Sequence, residues 1–174
     1  AQRAAYVLRK LGHDEHTQEL ARIAGFMHDI GNAVNRTHHA ELGALLANDI
    51  LKQTDMPIKD RITIISAIGQ HDESTGGSKD PISAALILAD KTDVRRNRVR
   101  TKDREHFDIH DRVNYAVTDA KLEAFPEENQ ILLTFLDNGV SYDPLLKEDP
   151  DTTLSADERE SGGLGIFLVK KNTD

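Results

Sequence analysis

A histidine and an aspartate stand side by side in the run Gly25-Phe26-Met27-His28-Asp29-Ile30, and Gly31 follows. Further along come His38, His39, His71 and Asp90. Imidazole nitrogens and carboxylate oxygens at such positions can hold one or two divalent metals. Two metals roughly 3.5–4 Å apart suit phosphoester hydrolysis, because together they activate water and neutralise phosphate charge. Asp90 lies in an apolar run, Ala84 to Ala89, where an unpaired carboxylate is costly. Taken singly, each of these residues fits a hydrogen-bonded core histidine or an arginine-paired aspartate as well as a metal ligand. The set in this order points to metal.

The elements that must carry these residues read as helices. Ala1 to Leu11 is helical, with Tyr6, Val7 and Leu11 inward and Gly12 as a stop. A second helix runs from about Glu15 to Asp29, with Leu20, Ile23, Ala24 and Met27 at helical spacing. Thr37 can cap a third, to about Gln53, with Leu42, Leu45, Leu46 and Ile50 on its buried side. Pro57 marks a turn before a fourth helix, Asp60 to Gln70, and Asp72 to Asp80 is a polar loop. Pro81 suits the first turn of a fifth helix, through about Arg95, and a sixth covers Asp108 to Val117. The pattern then changes. Lys121 to Phe125 and Ile131 to Leu136 read as strands around the turn Pro126-Glu127-Glu128-Asn129. Ser141 to Ser161 is acidic and aperiodic, a loop or arm, and Ile166 to Val169 is a short apolar stretch.

The chain has 174 residues, so one domain with a small second unit is the default. Without cysteine it has no disulfide, thiolate metal site or cysteine nucleophile, a composition compatible with a reducing, cytoplasmic setting. No apolar run approaches the roughly 20 residues of a membrane span, and no signal peptide is evident. A net charge of −8 argues against general nucleic-acid binding. The positive charge is nonetheless concentrated in Lys91, Arg95, Arg96, Arg98, Arg100, Lys102 and Arg104, a local anion-attracting patch or a solvated helix end paired with nearby acids.

The series His28-Asp29-Ile30-Gly31, His39-Ala-Glu-Leu-Gly-Ala, Ile68-Gly-Gln-His71 and Leu88-Ala-Asp90 resembles the HD superfamily of metal-dependent phosphohydrolases, most closely its HDIG-type bacterial members, over about residues 1–136. The resemblance implies a mainly α fold: a helical bundle over 1–118 with a small β-hairpin or α+β appendage over 119–174. It implies His28, Asp29 and Asp90 as primary metal ligands, with His39 and His71 as the extra histidines of dinuclear members. The cofactor would be one or two ions of iron, manganese, nickel, cobalt or zinc, with magnesium also compatible. Asp29 would bridge them, and His71 or Asp72 would move protons. The family pattern has an earlier histidine, and Arg3, Ala4 and Ala5 fit the residues that follow it, which would put that histidine immediately before Ala1. His13 and His16 read instead as residues of an exposed turn.

Many members carry a lysine where this chain has Asn32, so phosphate contacts would come from Asn32, Arg36, Lys91, Arg96 or Arg100. The implied reaction is hydrolysis of a nucleotide or another small phosphoester, and the hairpin offers an edge strand for pairing two copies into a homodimer. The C-terminal residues carry a second likeness. Asp137-Asn138-Gly139, Tyr142-Asp143-Pro144 and Gly162-Gly163-Leu164-Gly165 resemble the ATP-binding segments of anti-sigma-factor serine kinases of the GHKL group. That resemblance implies Asp137 and Gly139 at an adenine and Gly163 and Gly165 at phosphates. The alternatives to an enzyme are therefore a nucleotide-binding regulatory module and an HD scaffold that binds metal without catalysis. Asn114, a candidate for the kinases' magnesium-binding asparagine, falls in a stretch that reads equally well as continuing the HD-type sequence, the reading preferred here.

Overall fold

A computed structural model describes residues 1–72, 76–99, 101 and 103–138. Six α-helices and a two-stranded sheet make up the described residues: α1 (Gln2–Lys10), α2 (Glu15–Met27), α3 (His39–Leu51), α4 (Ile58–Gly69), α5 (Pro81–Lys91), α6 (Ile109–Ala116), β1 (Val117–Phe125) and β2 (Gln130–Asp137). The fold is mainly α with a small C-terminal hairpin, as expected. Arg100, Lys102, Gly139, Gly163, Gly165 and the segments 141–161 and 166–169 lie outside the described residues.

Local chemistry sets most boundaries. Gly12 at φ +81° turns the chain out of α1, a conformation that favours glycine. The Asp14 carboxylate accepts from the Thr17 amide at 2.7 Å and starts α2. Asp80 and Ser83 form a reciprocal capping box at α5, with Pro81 in the first turn.

The core is built from Leu8, Ile64, Ile68 and Leu86, none more than 1% exposed, among the buried alanines 4, 21, 24, 47, 67 and 85. α1 packs on α2 and α5, α2 on α4 and α5, and α3 on α4. Alanine-rich faces let the helix axes come close.

Four expectations need correction. Leu45 and Ile50 are 65% and 46% exposed, and α3 instead buries Ala40, Gly43, Ala47 and Leu51. Both sets have helical spacing, and only the small-residue face fits the close approach of neighbouring backbone. Leu11 is 44% exposed because it sits where the chain leaves α1. Thr37 does not cap α3: Asn35 Oδ1 accepts from the Thr37 amide at 3.0 Å, and the cap position falls to His38, at φ 60°. α5 ends at Lys91 rather than Arg95. The Thr92 carbonyl, which a continuing helix would offer to Arg96, receives the Arg3 guanidinium instead.

Arg3 is a tie between three elements. It also donates to Thr92 Oγ1 at 3.3 Å and to the Ala120 carbonyl at 3.2 Å, joining α1, the end of α5 and β1. β1 and β2 pair antiparallel with Leu122 opposite Leu133, and Leu122 packs against the helical core. Asn129, at φ 50°, closes the turn between them.

Candidate metal centre

α2 stops at Met27, two residues before the expected end, so His28 and Asp29 stand in the turn that follows. A short 3-10 helix, Ile30–Ala33, then lays its backbone against α3. The contact is tight enough to require glycine at position 31. A β-carbon on Gly31 would overlap the His39 carbonyl oxygen and lie 2.6 Å from the Gly43 nitrogen. This approach carries His39, at the start of α3, to Asp29. α4 ends just before His71, and α5 supplies Asp90 in its last turn.

The five residues converge. His28 Nε2 lies 3.3 Å from Asp90 Oδ1 and 3.5 Å from Asp29 Oδ2. On the other side of Asp29, its Oδ1 is 3.7 Å from His39 Nε2. The His71 ring stands edge-on to both other imidazoles, with centroids 5.0 Å from His28 and 5.0 Å from His39. One ligand atom from each of His28, Asp29 and His71 falls within 4.8 Å of the others, a group that could hold a metal ion. Asp72 Oδ2 is 3.5 Å from His39 Nδ1.

The three histidines share one orienting device. Each places Nδ1 on the carbonyl three residues earlier: His28 on Gly25 at 3.0 Å, His39 on Arg36 at 3.1 Å and His71 on Ile68 at 2.6 Å. A carbonyl oxygen only accepts, so Nδ1 carries the proton in each contact. The neutral ring then keeps its lone pair on Nε2, the tautomer a metal needs. A donor set of imidazole nitrogens and carboxylate oxygens fits a borderline divalent ion.

Charge within the cluster is balanced by pairing. Burial opposes charging of His28, but the hydrogen bond to Asp90 and the charges of Asp29 and Asp90 outweigh it and raise its pKa above the ordinary 6.5. For Asp90, burial works against the carboxylate, and the contact with His28 more than offsets it, so its pKa is lowered. His71, 2% exposed, has its pKa lowered by burial first.

The other sequence candidates are placed as follows. Asn32 is exposed, and its amide donates to Asp29 Oδ1 at 2.8 Å. Arg36 is exposed and supplies the carbonyl under His39. Lys91 Nζ is 4.0 Å from Asp90 Oδ2. Arg96 donates from Nε to the Tyr115 carbonyl at 2.8 Å, with its guanidinium 4.5 Å from the centre of that ring. Asp137 ends β2 opposite Val117. His38 is not part of the cluster; its contact is Glu41, at 3.8 Å. Asn114 Oδ1 accepts from the Arg95 amide at 3.1 Å.

Arg95, one of the arginines after Asp93 that the sequence offers for a phosphate contact, lines a cavity of about 350 Å³ together with His28 and Asp90.

No curated protein and no solved structure matches this chain. The family model described as HD domain matches residues 1–106, which include every histidine and aspartate of the cluster, and the chain therefore belongs to the HD domain family.

Proposed function

We propose that this protein is a metal-dependent phosphohydrolase that cleaves a nucleotide or another small phosphoester. HD domains are in general metal-dependent hydrolases that bind divalent metals. The observation that carries the reading for this chain is the common orientation of His28, His39 and His71, each with Nδ1 on a backbone carbonyl, so that Nε2 is the ring nitrogen a metal would take, in place of the carboxylate contacts it makes at His28 and His39. Within the family we assign it to the HDIG type, on His28-Asp29-Ile30-Gly31 and on the contact that Gly31 makes with α3. We place it in the cytoplasm on its cysteine-free composition.

His28, Asp29, His71 and Asp90 would hold one divalent ion, and Asp29 and His39 would serve a second. A bound divalent ion supplies a water of lowered pKa and charge to offset the phosphoryl oxygens. The protein's residues do the rest. Asn32 fixes the rotation of the Asp29 carboxylate through its 2.8 Å hydrogen bond. Asp72, 3.5 Å from His39 and adjacent to His71 in the chain, would accept and return a proton. Lys91, beside Asp90, would supply positive charge for the substrate's phosphoryl group.

The test is a screen of phosphomonoesters, cyclic nucleotides and dinucleoside polyphosphates with protein loaded with manganese, iron or zinc. At least one class is hydrolysed by the wild type and not by His28→Ala or Asp90→Asn. Hydrolysis that persists in both variants at wild-type rate contradicts the proposal. Stoichiometric metal with no turnover of any class makes the domain a metal-binding scaffold.

A further inference from the structure

The cavity of about 350 Å³ beside the cluster is lined by two metal-ligand candidates, His28 and Asp90, together with Arg3, Asp93 and Arg95. Arg3 donates only to neutral oxygens, those of Thr92 and Ala120, and among the described residues it has no carboxylate within 4.0 Å. Arg95 meets Asp93 in a two-pronged contact, Nε to Oδ1 at 2.8 Å and Nη2 to Oδ2 at 3.0 Å. The same carboxylate also faces Arg98 Nη1 at 3.6 Å, so one negative charge serves two positive ones.

We propose that Arg95 binds a second phosphoryl group of the substrate, so that the centre favours phosphoesters carrying two phosphoryl groups over those carrying one. This rests on the phosphohydrolase reading above. The fork that Arg95 presents to Asp93 is the geometry with which a guanidinium grips two phosphoryl oxygens. The pair is solvent-exposed, 58% at Arg95 and 32% at Asp93, and such pairs contribute little stability. A phosphoryl group with more charge can therefore replace the carboxylate, and Asp93 keeps Arg98 when it does. The backbone is fixed for this role, because the Arg95 amide is bound to Asn114 of α6.

The probes are inorganic phosphate and inorganic pyrophosphate, titrated calorimetrically into Mn²⁺-loaded protein at fixed free Mn²⁺. The wild type is expected to bind pyrophosphate about tenfold or more tightly than phosphate, as one additional charge-assisted two-pronged contact implies. Arg95→Gln removes most of that advantage and leaves phosphate affinity within about twofold, whereas Arg95→Lys keeps part of it. Asp93→Asn, which frees Arg95, tightens pyrophosphate binding. The proposal is overturned if Arg95→Gln weakens both anions equally or leaves the advantage intact. If the loaded wild type binds neither anion, the phosphohydrolase reading fails first and takes this one with it.

Discussion

Gly31 and His39 are in backbone contact: the α-carbon of one faces the carbonyl oxygen of the other so closely that no side chain fits between them. The short helix bearing Gly31 and the helix bearing His39 are thereby locked together. His39 reaches Asp29 across that contact.

Gly31→Ala should therefore harm stability and the centre together. The new methyl group meets backbone on two sides, at His39 and Gly43, so a side-chain rotation cannot relieve it. Overpacking of this kind costs roughly 1–3 kcal/mol. Urea unfolding of the metal-free protein should show that loss, and metal titration should show weakened binding. An unchanged unfolding midpoint would mean the two helices are not locked at this point.

Asn32 does its work through Asp29. With the 2.8 Å hydrogen bond removed in Asn32→Ala, the carboxylate is free to rotate. Loss of such an orienting partner lowers metal affinity about 10- to 100-fold. Competition with a chromogenic chelator measures it. A lysine at this position adds positive charge and can still donate to the Asp29 carboxylate, so Asn32→Lys should keep more of the metal affinity than Asn32→Ala.

Metal binding should release protons, with a definite pH dependence. In the metal-free protein the pKa of His28 is raised above 6.5 by Asp90 and Asp29, working against burial. At pH 6.5 the ring is therefore more than half protonated, and a metal must displace that proton to reach Nε2. His71, with its pKa lowered by burial, is mostly neutral at that pH and releases little. Calorimetry in buffers of differing ionisation enthalpy should show net release at pH 6.5. The release falls away as pH rises through the elevated pKa of His28. The same shifts act on stability. The contribution of His28 is complete below 6.5 and is lost as pH rises through its folded-state pKa. That of Asp90, whose pKa is lowered, is complete above 3.8 and is lost as pH falls through its folded-state value. Heats independent of buffer would contradict a charged His28–Asp90 pair.

The sequence offers His28, Asp29, His39, His71 and Asp90 as one set, and the structure brings them near one another. Asp90, inside an apolar helix, announced that something must pair with it, and it meets His28. Other features could not be read. The leucines of α3 and its small residues have the same period, so only the tight contacts at Gly31 and Gly43 decide which set is buried. The end of α5 depends on Arg3, 89 residues away in sequence, capturing the Thr92 carbonyl. Arg95 looked like one charge in a run, and its difference from its neighbours exists only in the cavity it lines with His28 and Asp90.

Elemental mass spectrometry of protein purified without chelator addresses the central claim directly. One or two equivalents of a divalent transition metal are expected in the wild type, and their loss in Asp29→Ala with the fold intact by circular dichroism. A wild type that takes up no metal even after reconstitution, or an Asp29→Ala variant that keeps its full complement, would contradict it.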